Sequence, residues 1–294
     1  MTHSAQPAWR ELALTDEVIS ARTTPPRATG LTMVIDTGLG LAGCEDILAM
    51  ASLWIDHWKL SFGTSVFMPE AVLRSKLETI AAAGILTFPG GTLFEAAIVR
   101  HHCRVYMRRV SDLGFGAVEI SDGTIDLPPK RRQRVIECAL DAGLTVVTEV
   151  GKKDPANQPS AEQLADQACL DVEAGSSWVI VEGRESGTGV GVFGAAGEVN
   201  MKAVDTLAEH ARDALSRLVW EAPLKDQQAA LVQRFGINVN LGNIDPARVL
   251  ALEALRSGLR FETLKPITDQ LRESGRWDPE ELEANGERDA LGPE

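Results

Sequence analysis

Five carboxylates in this sequence, Asp36, Glu119, Glu149, Glu182 and Glu221, each stand at the end of a short run of β-branched and other apolar residues. Acids brought to one place repel each other unless a cation sits among them. A hard divalent ion such as Mg²⁺ meets that need, because it takes oxygen ligands octahedrally, usually one or two carboxylates completed by water and substrate oxygens. No histidine occupies these positions, which argues against zinc. The pair His101-His102 is no better a metal site, since adjacent residues on a helix point in different directions.

Cations share the same run ends. Lys59, Lys152-Lys153 and Arg184 all follow or close one of the apolar runs, so some of the acids are equally explained as members of structural ion pairs. A lysine in such a place supplies charge to a substrate anion, or acts as a general acid if its pKa is depressed. Two glycine-rich segments lie nearby. Gly90-Gly91-Thr92 opens a helical stretch at Leu93, and free backbone N–H groups there suit phosphate or carboxylate, although a plain Thr N-cap explains the pattern too. The stretch from Gly183 to Gly191, with Arg184 inside it, reads either as a lid that closes over substrate or as a flexible loop.

The elements that must position these groups are short strands alternating with helical stretches. Candidate strands are Leu31–Ile35, Trp54–Leu60, Ile85–Phe88, Ala117–Ile120, Thr145–Glu149, Trp178–Glu182, Leu218–Glu221 and Asn238–Leu241. Strands separated by helices imply parallel pairing. Eight such units, with no G-x-G-x-x-G after the first strand, favour a closed (β/α)8 TIM barrel over an open doubly wound sheet. Gly84, Gly114, Gly143 and Gly175 each precede a strand, as helix C-caps should. In such a barrel the loops after the strands all open at one face, where the active site lies. Read in order, the strand ends carry Asp36; Lys59; Gly90-Gly91-Thr92; Glu119 with Ser121-Asp122-Gly123; Glu149 with Lys152-Lys153; Glu182 with Arg184; Glu221; and Asn240 with Asn243. Residues 1–29 read as an N-terminal extension with a short helix around Trp9 to Ile19, 30–264 as the barrel, and 265–294 as a C-terminal helix and acidic tail that includes Glu280-Glu281-Leu282-Glu283.

Composition fits a soluble globular protein: 294 residues, 44% apolar, 24% charged. Length allows one domain, because such barrels occupy about 250 residues. The net charge of −13 leaves no basic excess for nucleic acid or an anionic membrane, yet a few local cations still permit small anionic substrates. The four cysteines are scattered without metal spacing, and no apolar run approaches the roughly 18 residues of a membrane span. A cytoplasmic protein with reduced thiols is expected. The tryptophans are expected in core or interface packing, with a homo-oligomer as the expected assembly.

The chain resembles the phosphosulfolactate synthase family, which joins sulfite to phosphoenolpyruvate. The matching segments are GLTMVID at 30–36, DHWKLSFGTS at 56–65, FPGGTLFEAA at 88–97, GFGAVEISDGTIDLP at 114–128, TEVGKKDP at 148–155, VIVEGRESG at 179–187, VWEAPLKDQQ at 219–228 and INVNLGNI at 237–244. The resemblance implies a Mg²⁺-dependent lyase working in the synthetic direction. It implies Lys153 as the catalytic lysine, supported by Glu149 and Lys59. Asp36, Glu182 and Glu221 become the metal candidates, and Gly90, Gly91, Thr92, Ser121, Lys152, Arg184 and Asn240 the substrate-binding candidates. Three lysines expected from the family pattern are Thr37, Thr188 and Val190, and Phe62 stands where the family has Trp. If those lysines faced the mouth, each lost charge-assisted contact would cost roughly 1.5–3 kcal/mol. Two alternatives therefore stay open. One is a branch with a different nucleophile or a different phosphoenol or phosphono acid. The other is a non-catalytic stress-associated barrel like the family's plant relatives.

Overall fold

Side chains on a strand alternate between two faces, so in a barrel every second residue points to the axis. The computed structural model, which describes residues 21–278, shows how that alternation is used. The order of elements is β1 (Thr32–Asp36), α1 (Leu41–Ala51), β2 (His57–Leu60), α2 (Glu70–Ala82), β3 (Leu86–Pro89), α3 (Gly91–Ile98), α4 (Cys103–Leu113), β4 (Ala117–Ile120), α5 (Pro129–Asp141), β5 (Thr145–Val150), α6 (Ala161–Glu173), β6 (Trp178–Val181), α7 (Met201–Ala211), β7 (Leu218–Glu221), α8 (Lys225–Phe235), β8 (Leu241–Ile244), α9 (Val249–Arg256) and α10 (Phe261–Glu273). This is a (β/α)8 barrel. Its ladder runs β3-β2-β1-β8-β7-β6-β5-β4, all parallel.

The two ends of the ladder, β3 and β4, meet at a seam bridged by side chains. Gly91 N donates to Glu119 Oε1 at 2.8 Å, and Ser121 Oγ donates to Glu95 Oε1 of α3 at 2.6 Å. Inside the barrel, Leu31, Met33, Phe88, Ala117, Val147, Ile180 and Val219 form an apolar plug of fully buried side chains. A larger apolar layer packs between strands and helices. Two residues further along four of the strands the same inward column turns charged: Ala117 is followed by Glu119, Val147 by Glu149, Ile180 by Glu182 and Val219 by Glu221. The plug is thus the dry floor of the site.

Three boundaries differ from the sequence reading by more than one residue. The expected strand Trp54–Leu60 is a 3-10 turn at Ser52–Trp54 followed by β2, because Asp56 bonds instead to Thr32 N and Arg27. The expected strand Asn238–Leu241 begins only at Leu241. Asn238 and Asn240 spend their side chains on backbone groups at the barrel floor, Asn240 Nδ2 donating to Ser216 O and Leu218 O while its Oδ1 accepts from Leu31 N. The C-terminal helix starts at Phe261, across the expected boundary at 264. The four glycines expected as helix caps all take positive φ. The expected helix at Trp9 to Ile19 and the acidic stretch at Glu280 lie outside the described residues.

Candidate active site

Because the inward columns end together, Glu119, Glu149, Glu182 and Glu221 meet at the mouth with at most 2% of each residue exposed. Lys59, the inward residue of β2, rises between them: its Nζ lies 2.8 Å from Glu119 Oε2, 3.0 Å from Glu221 Oε1 and 3.5 Å from Glu149 Oε2. Lys153 reaches in from the loop after β5, with Nζ 3.7 Å from Glu149 Oε1, 3.9 Å from Glu182 Oε2 and 3.4 Å from Thr92 Oγ1. A cavity of about 360 Å³ opens above this cluster, lined also by Ile35, Ser61, Phe62, Arg184, Ser186 and Asn243.

Four carboxylates against two ammonium groups leave a formal excess of two negative charges, and the pKa values register it. Burial disfavours charge on Lys59, yet Glu119, Glu221 and Glu149 hold it protonated well above the usual lysine value. Burial, with Glu149 and Glu221 adding to it against Lys59, pushes Glu119 up to about 8. Glu182 is raised well above the carboxylate range by burial and by Glu149 and Glu221. Glu149 moves the other way: Lys153 and Lys59 overcome its burial and hold it down to about 2. Glu149 and then Glu182 keep Lys153 protonated above the ordinary lysine value, so its pKa is raised, not depressed.

Such a cluster accepts either protons or a cation. Oxygens of Glu149, Glu182 and Glu221 lie within 4.8 Å of one another. Glu149 Oε1 and Glu182 Oε2 are buried without a hydrogen-bond partner among the described residues. Three buried carboxylates gathered this closely, two of them with an oxygen that makes no hydrogen bond, fit a hard divalent ion and its preference for oxygen.

Comparison with known proteins places this arrangement. Residues 20–262 match the family described as (2R)-phospho-3-sulfolactate synthase. The phosphosulfolactate synthase of Methanocaldococcus jannaschii is 40% identical over 240 residues, covering 81% of this chain and 95% of that protein. Those of Methanothermobacter thermautotrophicus and Bacillus subtilis are 36% and 38% identical, covering 86% and 83% of this chain and 98% and 96% of theirs. The chain belongs to the phosphosulfolactate synthase family. It is therefore an enzyme of the carbon–sulfur lyase type. Among solved structures, 3-hexulose-6-phosphate synthase from Salmonella typhimurium shares the fold at a TM-score of 0.52 and 14% identity, covering 78% of this chain and all of that one.

As a phosphosulfolactate synthase family member, the protein brings Lys59, Glu149, Lys153, Glu182, Glu221, Gly90, Gly91, Thr92 and Arg184 to one cavity, as the strand-end reading expects. Four other expectations fail on geometry. Asp36 points outward from β1, where Lys76 Nζ at 2.6 Å, Trp58 Nε1 at 2.8 Å and the Gly38 and Leu39 amides occupy it; its inward neighbour Ile35 lines the cavity instead. Asn240 sits at the opposite end of the barrel. Ser121 is fully buried against Glu95. Lys152 turns away to Asp122 and Ile125.

The glycine segments also read differently. Gly90 N donates to Leu60 O and Gly91 N to Glu119, so both amides are taken, and a Cβ on Gly91 would stand 2.6 Å from Glu119 Oε1. Glycine serves close packing of the protein there. The Gly183–Gly191 loop is pinned by Gln158 on Gly191 N and by Gln227 on Gly187 O, with Val190 buried. That is no free lid. Thr37, Thr188 and Val190 do not themselves line the cavity, although Thr188 Oγ1 lies 2.9 Å from Ser186 Oγ, which does.

Glu119 and Asn243 are among the lining residues that had no assigned role. Glu119 shares the inward parity of Glu149, a signal legible in A-V-E-I. Asn243 is brought in by a bulge on β8 against β1, with φ 55 and its Oδ1 unpartnered and buried.

Proposed function

We propose that the protein adds sulfite to phosphoenolpyruvate, with Mg²⁺ held by Glu149, Glu182 and Glu221. The convergence of four buried carboxylates with two lysines under one cavity supports this reading most directly. When bound, the cation supplies positive charge to the substrate carboxylate and to the electron density that builds beside it. The sulfur lone pair of sulfite forms the C–S bond at the methylene carbon. The π electrons of the double bond move to the carbon bearing the carboxylate and phosphate ester, which stays attached. Lys153 then delivers its proton to that carbon. Its side chain is 30% exposed, enough to recover a proton from solvent. Glu149 and Glu182 hold the ammonium charged in the resting site; shared with a cation, they would hold it less tightly and favour transfer. Lys59 keeps the carboxylates together, and Arg184 at the rim presents a guanidinium to the phosphate.

Lys59, Lys153 and Arg184 all line the cavity without the three family lysines, which favours the family reaction over a branch with a less charged substrate. The uncompensated buried carboxylates argue against a retired, non-catalytic barrel, since such charges cost stability without a use. The test is incubation with phosphoenolpyruvate, sulfite and Mg²⁺ followed by mass spectrometry. Phosphosulfolactate should form and should vanish with EDTA or in Lys153→Ala; its absence in the wild-type protein with Mg²⁺ overturns the reading.

A further inference from the structure

Lys153 owes its place to a buried clasp behind it. Arg132 of α5 is 1% exposed, yet its guanidinium touches three other elements. It donates to Asp171 of α6 through Nε at 2.8 Å and Nη2 at 2.6 Å, to Asp122 Oδ1 through Nη1 at 3.0 Å, and to the backbone O of Glu149 through Nη2 at 2.9 Å. Asp122, in the loop after β4, passes the connection on. Its Oδ2 and backbone O accept from Lys152 Nζ at 3.1 and 2.7 Å, and the same ammonium reaches Ile125 O at 2.9 Å. The loops after β4 and β5 are joined once more where Lys153 N donates to Gly123 O at 2.9 Å. The stem of Lys153 lies across Gly123 so closely that a Cβ there would stand 3.1 Å from Cγ and Cε.

We propose that Arg132, Asp122 and Lys152 are positioning residues for Lys153. They lock the loops after β4 and β5 in register, so that the lysine beside Lys152 extends over Gly123 into the cavity and not into solvent. Consecutive side chains diverge here: Lys152 anchors outward and Lys153 is thereby aimed inward. A lysine that must place one proton on one carbon needs such support, because an error of about 1 Å costs on the order of 100-fold in rate. The inference rests on the proposed role of Lys153 as proton donor.

The experiment compares Asp122→Asn, Lys152→Met, Gly123→Ala and the conservative Lys152→Arg in the full chain. Steady-state kinetics with phosphoenolpyruvate, sulfite and Mg²⁺ are measured beside Lys153 acetylation by pulsed acetic anhydride and peptide mass spectrometry. Gly123 does not adopt a left-handed backbone, so alanine there displaces the Lys153 stem without straining the loop. The first three variants should lose about tenfold or more in kcat. KM for both reactants and the melting temperature should stay near wild type, Lys153 should label faster, and Lys152→Arg should keep wild-type values. The proposal is overturned if labelling and kcat are unchanged in Asp122→Asn and Lys152→Met, or if kcat falls only in step with the folded fraction. Should the wild-type protein turn over nothing, the labelling rates still decide the positioning claim separately from the reaction.

Discussion

Charge is buried at both ends of this barrel, and the two ends treat it differently. At the floor, Arg22 grips Glu253 with Nε at 2.9 Å and Nη2 at 2.8 Å, Arg27 pairs with Asp56 at 3.1 Å, and Arg256 donates to Val239 O at 2.8 Å. These groups tie residues before β1 to α9 and to the turn before β2. At the mouth the carboxylates outnumber the ammonium groups, and Glu149 Oε1 and Glu182 Oε2 make no hydrogen bond among the described residues. The floor has one guanidinium in excess, but Arg256 spends it on the backbone carbonyls of Ile237, Val239 and Leu31; at the mouth the excess is negative and faces the cavity, where a ligand can balance it.

The contrast can be tested by removing charges at each end, starting with the greatest loss. Lys153→Ala should lower kcat by about 10²–10⁴-fold, the usual worth of a positioned proton donor, with melting temperature little changed; a variant of near wild-type kcat would remove Lys153 from the chemistry. At the floor, Glu253→Ala should destabilise by about 3–5 kcal/mol in urea unfolding, because it strands Arg22 beside Arg256. At the mouth, Glu182→Gln should do the reverse in the metal-free protein, raising the melting temperature by about 2–4 °C per kcal/mol of relieved repulsion while lowering activity. A loss of stability there matching that of Glu253→Ala would erase the distinction.

The smallest expected effect is on pH. Glu119, pushed up to about 8, contributes stability that is present below the ordinary carboxylate pKa and lost as pH rises through 8. Glu149, held near 2, contributes stability present above the ordinary value and lost as pH falls towards 2. The melting temperature in EDTA should therefore decline from pH 5 to 8, and Mg²⁺ should flatten that decline by supplying the missing charge. A melting temperature that climbs with pH in EDTA would contradict the raised Glu119.

Much of the architecture was legible in the sequence because eight β-branched runs with capping glycines admit few other folds. What strand-end reading alone did not give is direction. Asp36 and Ile35 both end β1, but only Ile35 is in step with Met33 of the plug, so only Ile35 faces the cavity. The same count of two separates Glu149 from its neighbours and would have promoted Glu119. The eighth strand slipped because I-N-V-N-L alternates like a strand, while its asparagines bond across the floor and the bulge that aims Asn243 leaves no mark in hydropathy. Strand-end position alone does not separate Lys152 from Lys153; the family resemblance singles out Lys153, and the bond from Lys152 to Asp122 supplies the physical reason.

Calorimetric titration of the metal-free protein with Mg²⁺, in buffers of different ionisation heat, probes the mouth most directly. The expected result is a single binding event that releases protons, is lost in Glu182→Gln and survives in Asp36→Asn. Binding that survives Glu182→Gln and disappears in Asp36→Asn would contradict the inward cluster as the cation's seat.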